Sequence, residues 1–86
     1  MADIDQKTFF VYALKSTTRN YIYVGLTDNI ERRTKQHNDG YNKTTKPYRP
    51  FELIYSEEHQ TRIEARQREI YLKSGVGKEF LKKLLK

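Results

Sequence analysis

The chain has 86 residues, which is room for one domain over 1–86 and no more. Apolar residues reach only 36%, but aromatics make up 13%, with seven Tyr and four Phe, and large rings restore a small core and argue against disorder. The absence of cysteine excludes disulfides, thiolate zinc sites and a cysteine nucleophile, and fits a reducing, cytoplasmic setting.

No apolar run approaches the ~18 residues of a membrane span. The start, Met1-Ala2-Asp3-Ile4-Asp5-Gln6-Lys7, is polar and acidic, unlike a signal peptide, and residues 1–8 are expected to be a flexible N-terminus. Seventeen Lys and Arg against eleven Asp and Glu give a net charge of +6. On so small a body that charge favours polyanion partners, above all nucleic acid, and solubility alone is the plainer reading beside it.

In chain order, residues 9–15 read as a strand by their aromatic and β-branched content. Residues 16–20 form a polar turn, and 21–26 read as a second strand, so the pair is an antiparallel hairpin. Alternation places Phe10, Tyr12 and Leu14 on one face, and Tyr21, Tyr23 and Gly25 on one face of the neighbour. Thr27 or Asp28 can cap a helix over 29–39, with Glu31 in its first turn and Asn38-Asp39-Gly40 ending it. Arg33 and His37 are four apart on that helix and share a face.

Residues 41–50 read as a loop carrying Lys43, Lys46 and Arg49 among tyrosines, and Tyr41 or Tyr48 could stack on a base. Residues 51–56 read as a third strand, with Phe51, Leu53 and Tyr55 alternating against Glu52, Ile54 and Ser56. Thr61-Arg62-Ile63-Glu64 matches a capping box and opens a helix over 61–74. Ala65, Glu69 and Leu72 fall on one face of it, which sets a carboxylate among apolar neighbours. Gly75 suits a residue just past that helix, and a last helix spans 78–85 with Phe80, Leu81, Leu84 and Leu85 inward. Lys78, Lys82, Lys83 and Lys86 read as a solvated helix face, and Gly75-Val76-Gly77-Lys78 lacks the spacing of a phosphate loop.

The fold expected is α+β: a small, mostly antiparallel three-stranded sheet flanked by helices, in the order β-β-α-β-α-α.

Five residues then stand out as a set. Phe10-Val11-Tyr12 is followed by Tyr23-Val24-Gly25, with Tyr23 eleven residues after Tyr12. Arg33 and His37 come next, and Glu69 lies within Arg68-Glu69-Ile70-Tyr71-Leu72-Lys73. This ordered set resembles the GIY-YIG endonuclease family, with the two aromatic triplets standing for its two name-giving motifs. The resemblance covers residues 9 to about 82 and is closest to small stand-alone members, similar to the N-terminal nuclease module of the excinuclease C subunit. Two departures are visible: Phe10 stands where the family has glycine, and no asparagine follows Asn42, although the family often has one after the glutamate.

The resemblance implies hydrolysis of DNA phosphodiesters with one divalent metal, Mg²⁺ or Mn²⁺, held by Glu69, in a setting such as repair or recombination. It implies that Tyr12 helps to activate water and that Tyr23 orients water or phosphate. Residue chemistry agrees. A lone carboxylate with waters and a phosphate oxygen suits Mg²⁺. Arg33 offers planar, paired donors to phosphate. His37 can donate to phosphate or carry a proton near neutral pH, and the sequence leaves the general base open between Tyr12 and His37. Gly25 permits close approach of backbone or substrate.

Read one at a time, these residues have plainer explanations. Glu69 fits a helix carboxylate paired with Lys73 or Arg66, Arg33 a solvated arginine, His37 an ordinary helix histidine, and the tyrosines core rings. The nuclease reading comes with a homodimer or partner protein to confer specificity. Its rival, motivated by the missing asparagine, is a non-catalytic nucleic-acid binding module that keeps the fold. A protein interaction domain with no nucleic-acid affinity is a third class.

Overall fold

A computed structural model describes residues 8–85, so the expected flexible start lies, apart from Thr8, outside the described residues. The elements are β1 (Phe9–Ser16), β2 (Ile22–Thr27), α1 (Ile30–Asp39), a 3-10 turn (Lys46–Tyr48), β3 (Phe51–His59), α2 (Arg62–Lys73) and α3 (Gly75–Lys83). The order is the expected β-β-α-β-α-α, with the 3-10 turn added inside the loop over 41–50 and β3 running three residues past the expected end.

β1 is the middle strand of a sheet ordered β2-β1-β3, antiparallel to both neighbours. Its pleat sends alternate side chains to two separate cores. Val11 and Ala13 pack with Ile22, Val24, Ala65, Leu72 and Leu81 beneath α2 and α3. Tyr12 and Leu14 pack on the other face with Phe51, alongside Tyr21, Tyr23, Ile30 and Tyr48. Simple alternation fails on β3. Ala13 pairs with Tyr55 but Leu14 pairs with Leu53, so Ile54 is an extra residue in a bulge. Ile54 and Tyr55 consequently both pack against the α2 and α3 core, while Phe51 belongs to the opposite one.

The cap of α1 corrects the expectation of Thr27 or Asp28. Asn29 sits in extended geometry, and its side chain accepts the Arg32 amide at 3.0 Å. Thr27 ends β2 and folds its hydroxyl onto the Asn29 amide (3.1 Å), while Asp28 pairs with the Arg32 guanidinium (2.7 Å). Gly40 closes the helix at φ 85°, where a side chain would be strained, and its N–H reaches the carbonyls of Gln36 and His37. Thr61 caps α2 as expected and accepts the Glu64 amide at 3.1 Å.

The junction of α2 and α3 also differs. Gly75 is not a left-handed cap but the first residue of α3, which begins three residues before the expected 78. Ser74 serves both helices: its N–H bonds the Tyr71 carbonyl, and its hydroxyl accepts from the Gly77 amide. A Cβ on Gly77 would fall into the Tyr71 carbonyl oxygen and the Cα of Leu72, so a bare backbone here lets the two helices abut. Of the four residues expected inward, Leu81 is fully buried and Phe80 meets the Tyr55 ring edge-on. Leu84 and Leu85 follow the last helical residue and stay exposed. Lys78 is half-buried rather than solvated, and it donates to the Ile22 carbonyl of β2 at 3.2 Å.

Candidate active site

The residue patterns that build the sheet also build the site. Tyr12 on β1 lies opposite Gly25 on β2, and Tyr23 lies opposite Leu14, so the two tyrosines are diagonal neighbours with ring centroids 6.2 Å apart. A Cβ on Gly25 would stand 2.6 Å from Tyr12 Oη and 2.9 Å from Tyr23 Cε2. Gly25 is itself buried, and it gives room to the Tyr12 hydroxyl rather than presenting a surface.

α1 crosses this face and brings in His37, which is 1% exposed despite its polar ring. Its ring lies 4.6 Å from that of Tyr23, 6.3 Å from Tyr12 and 6.0 Å from Phe51. Both nitrogens are engaged: Nε2 is 3.2 Å from Tyr12 Oη, and Nδ1 is 2.9 Å from Thr45 Oγ1. Thr45 is fully buried, and its hydroxyl reaches the Asn42 carbonyl at 3.4 Å. A polar chain thus runs from Asn42 through Thr45 and His37 to Tyr12.

Burial, and then the charge of Arg33, lower the His37 pKa and keep the ring neutral. Burial and the neighbouring Tyr23 push Tyr12 up to about 12, against an opposing pull from the Arg33 guanidinium. Arg33 is half-buried and donates to Gln36 Oε1 at 2.7 Å. It also lines a cleft of about 300 Å³ with Phe9, Leu26, Thr27, Asp28 and Arg62. Arg62 comes from the first turn of α2, so two arginines from different elements face one opening.

Glu69 comes from α2, where it lies on the buried side of the helix with Ala65 and Leu72. Arg66 holds Oε1 and Lys73 holds Oε2, each at 3.0 Å, which is the helix pairing that the spacing allows. Among the described residues no hydrogen bond, ion pair or ring contact joins Glu69 to Tyr12, Tyr23, Arg33 or His37. Nor do the described residues gather three or more His, Cys, Asp or Glu as a metal cage. The donor set therefore fits Mg²⁺ or Mn²⁺ in one form: a water-rich ion using Glu69 and substrate phosphate, with Arg66 or Lys73 giving way.

The loop basics Lys43, Lys46 and Arg49 are exposed, and the Arg49 guanidinium lies against Gly40. Tyr48 is already stacked on Tyr21, with centroids 3.9 Å apart and the Arg19 guanidinium over its ring, whereas Tyr41 is 73% exposed. Thr45 and Arg62 were not legible as site residues. Thr45 looks no different from Thr44 in sequence, and Arg62 looks like any first-turn arginine.

The fold is a small α+β domain that sets paired tyrosines beside an Arg and a His four residues apart on α1. A family model described as "GIY-YIG catalytic domain" matches residues 8–83, and the chain belongs to the GIY-YIG family. It is similar to the UPF0213 protein YazA of Bacillus subtilis, with 39% identity over 77 residues, which is 88% of this chain and 77% of that one. It is 40% identical to the UPF0213 protein CPE1444 of Clostridium perfringens over 65 residues, covering 74% of this chain and 69% of that one. The solution NMR structure of the UPF0213 protein BH0048 from Bacillus halodurans matches with a TM-score of 0.54 and 31% identity, covering 90% of this chain and 84% of that one.

Proposed function

We propose that the chain is a metal-dependent endonuclease that hydrolyses DNA phosphodiesters. The observation that carries this reading is the buried Tyr12–His37 pair at 3.2 Å with Arg33 beside it. A phenol alone is too weak an acid to serve as a base at neutral pH. Joined to a neutral imidazole, it becomes one member of a relay. As water attacks phosphorus, its proton passes to Tyr12 Oη while the Tyr12 proton passes to His37 Nε2. The P–O bond to the leaving oxygen breaks, and the imidazolium proton returns to that oxygen or to solvent. Tyr23 packs both rings and orients water or phosphate. Arg33 holds the phosphate and stabilises its growing charge, while Arg62 across the cleft binds the DNA backbone. Glu69 would hold the divalent ion, which supplies neutralisation of charge on the phosphate and leaving oxygen. Gly25 keeps the Tyr12 hydroxyl in place, and Lys43, Lys46 and Arg49 meet the backbone away from the cut. Specificity then comes from a second copy or a partner protein.

The test is nicking of supercoiled plasmid with Mg²⁺ or Mn²⁺, beside EDTA, Glu69→Ala and Tyr12→Phe. Wild type alone should nick, and Tyr12→Phe should lose ~10²–10⁴-fold, the usual share of a general base. Nicking retained by both variants would overturn the reading.

A second reading has one observation in its favour: both Glu69 oxygens are already held by cations. If they stay so on DNA, the chain is a binding module. DNA binding that falls with salt, without nicking of plasmid, flap or branched DNA, would establish it.

A further inference from the structure

α1 carries His37 but has little apolar surface to hold it on the sheet. Ile30, at the first position, is the sole apolar residue of the helix, and His37, near the other end, is its buried one. A helix is ordinarily anchored by an apolar stripe, and this one has none. Nor does it lie flush on β3: a cavity of about 440 Å³ opens between them, lined by residues of α1 from Ile30 to Asn38 and by Leu53. We propose that Asn38 is the positioning residue that latches this end of α1 to β3 and so holds His37 against Tyr12. Its consequence for turnover rests on the hydrolytic reading above; the place of the ring does not.

Asn38 reads in sequence as part of the helix stop, but Gly40 makes that stop and the Asn38 side chain turns to the sheet. Its Oδ1 accepts the Phe51 amide at 2.6 Å, and its Nδ2 donates to the Phe51 carbonyl at 3.2 Å. The partner forces both roles. A backbone N–H can only donate and a carbonyl can only accept, so one orientation of the side-chain amide satisfies them. Ser16, opposite Phe51 on β1, turns its own N–H away to Tyr21, which leaves the Phe51 pair facing the open edge of β3. The two bonds are those that one residue of an added antiparallel strand would make. Asn38 is in effect a single strand residue mounted on a helix.

This latch governs His37 from two sides. Asn38 is the next residue along the helix, so fixing its side chain fixes the turn that carries the imidazole. The Phe51 that it grips is buried and sets its ring edge-on to that of His37, with centroids 6.0 Å apart. The neighbouring side chains give no such hold. Lys35 pairs with Asp39, and Gln36 accepts from Arg33, all within the helix. Among the described residues, His37 and Asn38 are the two in this half of α1 that hydrogen-bond to the sheet.

The experiment compares the wild type with Asn38→Ala and Asn38→Asp. Alanine removes both bonds and is the better helix former, so α1 itself is not weakened. Aspartate keeps the shape and loses the donor, which sets a carboxylate oxygen against the Phe51 carbonyl. The readouts are NOEs from the His37 ring to the rings of Tyr23 and Phe51, with His59→Gln to assign the two histidines, and single-turnover plasmid nicking at saturating DNA. Both variants should weaken those NOEs and slow nicking by up to ~10²-fold, the usual cost of misplacing a reacting group by about an ångström, with DNA affinity unchanged. A variant that melts earlier yet keeps the His37 NOEs overturns the proposal, because Asn38 then only stabilises the fold. Should neither variant fold, the wild type decides: the latch requires a slowly exchanging Phe51 amide, and free exchange there overturns it. Lost NOEs with unchanged nicking would leave Asn38 its positioning role and overturn the relay. Absence of nicking by the wild type would overturn the hydrolytic reading, and the NOEs would still decide for or against Asn38.

Discussion

Gly25 and Tyr12 face each other across the β1–β2 pair, and the hydroxyl of one fills the space that a side chain on the other would take. The glycine does not lie in the left-handed region; among the described residues, Gly40 does. Room, not backbone freedom, is what this position requires. Gly25→Ala would drive a methyl to 2.6 Å from Tyr12 Oη, and the tyrosine ring would have to turn from His37. The expected result is a loss of about 1–3 kcal/mol, the usual cost of overpacking, read by urea unfolding. Nicking per folded molecule should fall as well, because the relay is broken.

Tyr12 and His37 should behave as one unit. If Tyr12 hands its proton to His37, removing either member disables the same step. Tyr12→Phe and His37→Ala should each cost ~10²–10⁴-fold in nicking rate, and the double variant little more than the worse single. Losses that multiply in the double variant would mean that the two act in separate steps.

The cleft between Arg33 and Arg62 separates binding from chemistry. Arg62→Ala should weaken DNA binding and lower the steepness of its salt dependence by about one phosphate contact. Its effect on single-turnover nicking at saturating DNA should be small. Arg33→Ala, beside Tyr12, should reduce the saturated rate too.

Stability should fall at both pH extremes, for different groups. Burial works to raise the Glu57 pKa, but bonds from Arg68 (2.7 and 3.1 Å), Tyr55 (2.5 Å) and His59 (2.7 Å) outweigh it and hold it at about 2. A depressed folded pKa means that the unfolded chain takes up the proton first. The stability present above the ordinary value of 4.5 is then lost as pH falls toward 2. His37, lowered by burial and by Arg33, adds a loss that begins below 6.5. Tyr12 has the opposite sign: its raised pKa stabilises the fold below 10, and that contribution disappears as pH climbs to about 12. Thermal melts across pH should show the acid loss, and Glu57→Gln should flatten its lower part.

Much of this was written in local pattern. The two strands, the α1 stop at Gly40 and the Thr61 cap each follow from residues adjacent in the chain. So does the four-residue step that sets Arg33 and His37 on one side of α1. What escaped depends on contacts between distant segments. Ile54 reads as an alternating strand residue, and only pairing with β1 reveals the bulge that changes its face. Gly75 has the chemistry of a helix stop, but Ser74 takes that role because Gly77 lets α3 close onto Tyr71 and Leu72. Asn29 outcompetes Thr27 as a cap because Thr27 is already held as the last residue of β2. Thr45 acquires its place only when the loop folds back on His37.

The middle strand carries a wider consequence. Val11, Tyr12, Ala13 and Leu14 are all fully buried, yet they alternate between two cores on opposite sides of the sheet. Neither core can melt while the other persists without tearing one short segment out of both. The domain should open as a single cooperative unit, and the backbone amides of these four residues should exchange with solvent only through complete unfolding. The Tyr12 hydroxyl is thus mounted on the last part of the molecule to loosen.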